Sequence, residues 1–143
     1  MKGEPRSANP AFAFAVAALL VDLAFLLVPL NDGSNLLFSA LRLREGFPLR
    51  VSVAYLLTLF AQAIAILIGL MLLRLGRAGI ASGVFIGVLV TLGMRLTNSF
   101  LTTFYGWPWQ TVVVLGLQTV ECVLLLLAAR AAARQREAPL AAS

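Results

Sequence analysis

Three ionisable residues, Asp22, Arg95 and Glu121, lie in the middle of apolar stretches that are long enough to cross a lipid bilayer. An ionised side chain at that depth is costly unless it is paired, hydrated or neutralised. Two acids and one base in such positions form either an internal ion-pair network or a site that handles charge. The chemistry open to such a site is uptake and release of a proton or another cation.

The depth of each charge follows from the helical rise of about 1.5 Å per residue. In a hydrocarbon core about 30 Å thick, Asp22 falls roughly 17 Å, Arg95 roughly 24 Å and Glu121 roughly 13 Å above the cytoplasmic edge. Gln62 falls at nearly the level of Glu121. Side chains on a helix lean toward its N-terminus, so we expect Arg95 to reach down to Asp22 and Gln62 to donate to Glu121.

Two interpretations of these charges remain open. In the first, Asp22 and Arg95 form a buried pair that fixes the helix arrangement, and Glu121 is either protonated or hydrogen-bonded to Gln62. In the second, Glu121 and Asp22 take up and release a proton or cation. Because two acids share one base, Glu121 lacks a counter-ion within the chain. A partner subunit or a transported cation would supply one.

The composition excludes several kinds of catalytic site. The chain has no histidine, which removes the imidazole of Ser-His-Asp and Cys-His catalysis and the commonest metal ligand. Its single cysteine, Cys122, rules out an internal disulfide or a CxxC pair. We therefore predict no metal, no cofactor and no enzymatic activity; a lipid-modifying enzyme that uses carboxylates alone is the disfavoured third possibility.

The composition is that of a polytopic membrane protein. Of 143 residues, 61% are hydrophobic and only 12% charged, whereas soluble domains carry about 25% charged residues. Four apolar runs predict an all-α bundle of four transmembrane helices in one domain, at about 10–30, 51–73, 78–104 and 108–129. The net charge is +5, and ten of the eleven basic residues flank these runs, which favours lipid headgroups over nucleic acid as the partner.

The basic residues predict the orientation. Seven of them lie at the N-terminus, in the loop between the second and third spans, and in the tail, whereas three lie in the first loop. The positive-inside rule then places both termini in the cytoplasm of what we take to be a bacterial inner (plasma) membrane. The seven are Lys2, Arg6, Arg74, Arg77, Arg130, Arg134 and Arg136, and the three are Arg42, Arg44 and Arg50.

The sequence also predicts the structure of two segments outside the spans. Ser34 is placed to cap a short helix over about 34–44 that lies on the outer membrane surface, either as a lid over the bundle or as a contact for lipid or a partner. The tail at 130–143 is rich in Ala and Arg, and we expect it to extend the fourth helix and fray into solvent.

The third span carries a row of small and polar residues at four-residue spacing. Its first half, Gly79, Gly83 and Gly87, forms two overlapping GxxxG motifs and predicts a helix-packing seam. Its second half is polar and includes Arg95, with Asn98 beside it. Small or polar residues also share one face of the other spans, as in Ala11, Ala15, Ala18 and Asp22, in Gln62, Ala65 and Gly69, and in Gln118, Glu121 and Cys122.

These patterns predict a non-enzymatic membrane subunit that assembles, by helix packing, with itself or with a larger membrane complex. In that interpretation the glycine row is the seam, and Asp22, Arg95 and Glu121 specify assembly. The alternative is a small oligomeric transporter or channel for a cation or a lipophilic cation. There Glu121 would be the coupling residue.

Overall fold

The computed structural model describes residues 9–28, 49–102 and 109–141, and within them all side chains except those at 49–56, 58, 59, 98–102, 110, 111 and 138–141. These residues form four α-helices and no strand: α1 (Pro10–Leu26), α2 (Leu49–Arg74), α3 (Ala78–Thr102) and α4 (Trp109–Ala141). The all-helical prediction is confirmed over this part of the chain. The predicted surface helix at 34–44 lies outside it.

Two of the helices contain stretches long and apolar enough to cross a membrane, Ala78–Thr97 and Val112–Glu137. The other two contribute shorter apolar stretches, Pro10–Leu26 and Phe60–Arg74.

Local signals set the helix ends. The side chain of Asn9 accepts hydrogen bonds from the backbone N–H groups of Ala11 and Phe12, at 3.1 and 3.4 Å, and so caps α1. Pro10 occupies the first turn, where its missing N–H costs nothing. At the end of α2, Gly76 has φ +73°, and Arg77 N–H donates to Leu72 C=O at 2.9 Å. This is a Schellman cap, and α3 begins two residues later.

The four helices form a bundle in which neighbouring helices run antiparallel. α4 packs against α1 and α3, and α2 packs against the same two helices, so α1 faces α3 and α2 faces α4 across the diagonals. The guanidinium of Arg74, at the end of α2, lies 5.3 Å from the ring centre of Phe12 at the start of α1. Asn9 and Gln135 hydrogen-bond to each other at the same end.

The apolar core fills the half of the bundle near that end. Small residues let α1 approach α4 closely, since Ala11, Ala15 and Ala18 are completely buried. Phe85 of α3 is also fully buried and packs against Gly69 of α2, where a Cβ atom would collide with the Phe85 ring. Gly69 therefore makes room for the largest side chain of the core.

The C-terminal part of α4, beyond Arg130, packs against the start of α1. Ala132 is completely buried, and Gln135 contacts Asn9. The extension of the fourth helix that the sequence predicts is present, since α4 continues to Ala141, but these two residues contact α1 instead of fraying into solvent. The reason is that the tail helix lies along the first turn of α1, which offers both an apolar surface and a polar partner.

Candidate functional site

A hydrogen-bond chain crosses the middle of the bundle. Arg95 of α3 donates from Nη1 to Gln62 Oε1 of α2 at 3.1 Å. The same amide donates from Nε2 to Glu121 Oε1 of α4 at 2.5 Å. Glu121 is 2% exposed and Gln62 is 7% exposed, so water contributes little to this chain. Gln62 thus joins a cation to a carboxylate without a direct ion pair between them.

The amide is suited to this position because it carries both an acceptor and donors. Its oxygen takes the guanidinium N–H, and its NH₂ group faces the carboxylate. Gln62 and Glu121 lie on the two helices that face each other across a diagonal, so their side chains meet at the bundle axis. The depth calculated from the sequence placed these two residues at one level.

Asp22 is buried on α1, with 4% of its surface exposed. The direct contact with Arg95 that the sequence predicts is not formed: Arg95 bonds to Gln62, and Oδ2 of Asp22 has no hydrogen-bond partner among the described residues. Asp22 and Arg95 lie on the two helices of the other diagonal, and the hydrogen bond between Gln62 and Glu121 crosses the bundle axis between those helices. Asp22 lies on α1, which packs against the α4 helix that carries Glu121.

Gln118 is a site residue that the sequence analysis grouped with Glu121 but did not select. It precedes Glu121 by three residues on the same face of α4, and it is 5% exposed. Its Oε1 atom has no hydrogen-bond partner among the described residues. The signal that could have found it is the i, i+3 spacing of two long polar side chains in an apolar helix.

Two further residues, Cys122 and Asn98, lie on the same helices as Glu121 and Arg95. Cys122, next to Glu121, is a partly buried free thiol. Asn98, which the sequence placed in the charge network, belongs to α3, but its side chain lies outside the described set. Within the described part of the chain, no three His, Cys, Asp or Glu side chains are grouped to hold a metal ion.

The three glycines of the predicted seam have different surroundings. A Cβ atom at Gly79 would lie 3.1 Å from Cδ of Arg136 on α4, so a flexible side chain covers this glycine. Gly83 and Gly87 are exposed, and a Cβ atom at either would have no described atom within 4 Å. The described helices of this chain therefore do not pack on Gly83 or Gly87.

A groove of about 500 Å³ lies between α2 and α3 beside this face. Small residues line it, including Ala61 and Ala65 from α2 and Gly87 from α3. Arg95 and Gln62 also line the groove, so it leads from the outer surface of the bundle to the hydrogen-bond chain.

No protein-family model, curated protein or solved structure matches this chain.

Proposed function

We propose that this protein is a non-enzymatic, integral membrane subunit built as a bundle of four transmembrane helices, which assembles by packing another transmembrane helix against α3. The distribution of polarity supports the membrane setting. Large apolar side chains are exposed on every helix, whereas Asp22, Gln118 and Glu121 are buried. A soluble protein shows the reverse preference. Exposed examples are Leu20, Met71, Met94 and Val123.

The orientation is part of the same proposal. The start of α1, the end of α2, the start of α3 and Gln135 of α4 share one end of the bundle. Arg74, Arg77, Arg134 and Arg136 lie near that end, and the positive-inside rule assigns it to the cytoplasm of a bacterial inner membrane. Both termini are then cytoplasmic.

The single observation that carries the assembly proposal is the uncovered face of Gly83 and Gly87. A helix is rarely built with glycine on a lipid-facing surface for its own stability, since glycine costs about 1 kcal/mol relative to alanine in a helix interior. Two glycines four residues apart instead allow a second helix to approach backbone to backbone. The groove beside Gly87 extends this contact surface toward α2.

Native mass spectrometry of protein extracted from its own membranes in mild detergent tests this proposal. Gly83→Leu should abolish the oligomer or complex, because the new side chain holds the partner helix away. It should not disturb the fold, since a Cβ atom at Gly83 meets no described atom within 4 Å. Gly116→Leu is the matched control, because Gly116 is also exposed but lies on α4.

The masses also identify the type of partner. A multiple of the chain mass indicates self-assembly, and a stoichiometric second protein indicates a larger complex. An assembly that survives Gly83→Leu unchanged, or a wild-type protein that is monomeric throughout, would refute the packing proposal.

A small transporter or channel for a cation is the second candidate. One observation favours it: the buried oxygens of Asp22 and Gln118 lack hydrogen-bond partners in the described part of the chain, and they lie on α1 and α4, which pack together. Intramembrane carboxylates commonly mark ion or proton pathways. Cation or proton flux into liposomes should then be lost in Glu121→Gln and kept in Glu137→Gln, which makes the same change at an exposed position on the same helix.

A further inference from the structure

We propose that Asp22, Gln118 and Glu121 form a binding site for one monovalent cation, a proton or Na⁺, inside the bundle. We call these three residues the acceptor cluster. This inference goes beyond assembly, and it holds whether or not the cation crosses the membrane.

The register of α1 against α4 brings the acceptor cluster to one level. Asn9 and Gln135 hydrogen-bond to each other where α1 begins and α4 approaches its end. Because the two helices are antiparallel, Asp22, 13 residues after Asn9, is level with Cys122, 13 residues before Gln135. Gln118 and Glu121 therefore lie within about one helical turn of Asp22 along the bundle axis.

Unsatisfied acceptors in the acceptor cluster point to the ligand. Oδ2 of Asp22 and Oε1 of Gln118 are buried and have no hydrogen-bond partner among the described residues. Both side chains are at least nine-tenths buried, at 4% and 5% exposure. A buried oxygen without a donor is costly. Carboxylate and amide oxygens together suit a hard cation or a proton shared between them.

The net charge of the side chains around the acceptor cluster sets the number of cations that bind. Asp22 from α1 and Glu121 from α4 contribute two negative charges, and Arg95 from α3 contributes one positive charge. From α2, the neutral side chain of Gln62 faces Glu121. Cys122, which follows Glu121 on α4, carries a neutral thiol. One negative charge is left over among the described side chains. One monovalent cation neutralises this layer, whereas a divalent ion would leave an uncompensated positive charge.

Thermal unfolding of the purified, detergent-solubilised chain tests the site, with pH varied at constant ionic strength and NaCl exchanged for choline chloride. A ligand that binds only the folded state raises the Tm as its concentration rises. If the ligand is a proton, the Tm rises as the pH falls and is the same in both salts. If it is Na⁺, the Tm at high pH is higher in NaCl than in choline chloride.

Variants that change the charge of the site test the proposed stoichiometry. Glu121→Gln and Asp22→Asn each remove the excess negative charge, so both should lose the cation dependence of the Tm. Arg95→Gln leaves two excess charges, so its dependence should become steeper than that of the wild type. Glu137→Gln is the control, because Glu137 is exposed, and it should keep the wild-type dependence.

The proposal is overturned if the wild-type Tm depends on pH and Na⁺ no more steeply than that of Glu121→Gln. If Glu121→Gln and Asp22→Asn both lose the cation dependence of the Tm, a folding defect in one of the two variants does not explain the loss. A negative result here does not affect the assembly proposal, because that proposal is tested separately by the mass of the complex and by Gly83→Leu.

Discussion

The amide of Gln62 donates to the carboxylate of Glu121 at 2.5 Å, although their helices face each other across the bundle diagonal instead of packing side by side. The contact therefore spans the bundle axis. Gln62 also accepts from Arg95, so three of the four helices are joined through one neutral side chain. Removing that side chain should affect more than its own helix.

Gln62→Leu should lower the stability of the detergent-solubilised protein by about 1–3 kcal/mol. The substitution leaves the carboxylate of Glu121 and the guanidinium of Arg95 without their shared partner. The measurement is a double-mutant cycle with Glu121→Leu in thermal unfolding, in which the double variant should lose less than the sum of the two single losses. As a control, Ser82→Ala removes a separate hydrogen bond, to the Ala129 carbonyl, and its loss should add to that of Gln62→Leu. Simple additivity in the Glu121 cycle would show that the two residues do not interact.

Gly69→Ala should destabilise the fold by about 1–3 kcal/mol, because the new methyl group enters the space of the Phe85 ring. Gly116→Ala is the matched control: Gly116 is an exposed helical glycine outside the proposed seam, with no described atom near its Cβ position. The Tm of each variant, compared in the same detergent, checks this prediction. A smaller side chain at position 85, as in Phe85→Leu, should recover part of the loss in Gly69→Ala. Equal Tm values for the two glycine variants would contradict the close contact.

Gly76→Ala should lower stability by about 1–2 kcal/mol through backbone conformation alone. Gly76 has φ +73°, and a Cβ atom there meets no described atom within 4 Å, so the cost arises from the left-handed conformation of the cap. Gly116→Ala should have the opposite sign, a gain of up to about 1 kcal/mol, since Gly116 is an exposed helical glycine with open space around it. Thermal unfolding of the two variants side by side tests the contrast, and a shift in the same direction for both would refute it.

Asn9→Ala should cost about 1 kcal/mol, since it removes the cap of α1 and the link to Gln135 on α4. Asn9→Ser separates the two contributions, because serine keeps a capping oxygen but is too short to act as the amide partner of Gln135. We expect its stability to fall between those of the wild type and Asn9→Ala. Hydrogen exchange at the backbone amides of the first turn of α1 should increase most in the alanine variant. Unchanged exchange there would show that Asn9 does not cap the helix.

The ends of the helices could be predicted from sequence wherever the signal is local. Asn9 and Pro10 mark the start of α1, and α3 begins at Ala78 in both the sequence analysis and the structure. Capping depends on groups within one turn of the chain, which is why short-range patterns suffice. The packing of α4 on α1 beyond Arg130 could not be predicted in this way, because it depends on contact between two helices that are distant in sequence.

The site shows the same division between local and tertiary information. Sequence alone determined the position of each polar residue along its helix, since the helical rise is constant, and the resulting prediction set Gln62 level with Glu121. Only the tertiary structure decided which helices are neighbours and which face each other across a diagonal. That arrangement directs Arg95 to Gln62 instead of Asp22, and it leaves Gly83 and Gly87 uncovered. Depth along a helix is a property of one segment, whereas lateral order results from the packing of all four helices.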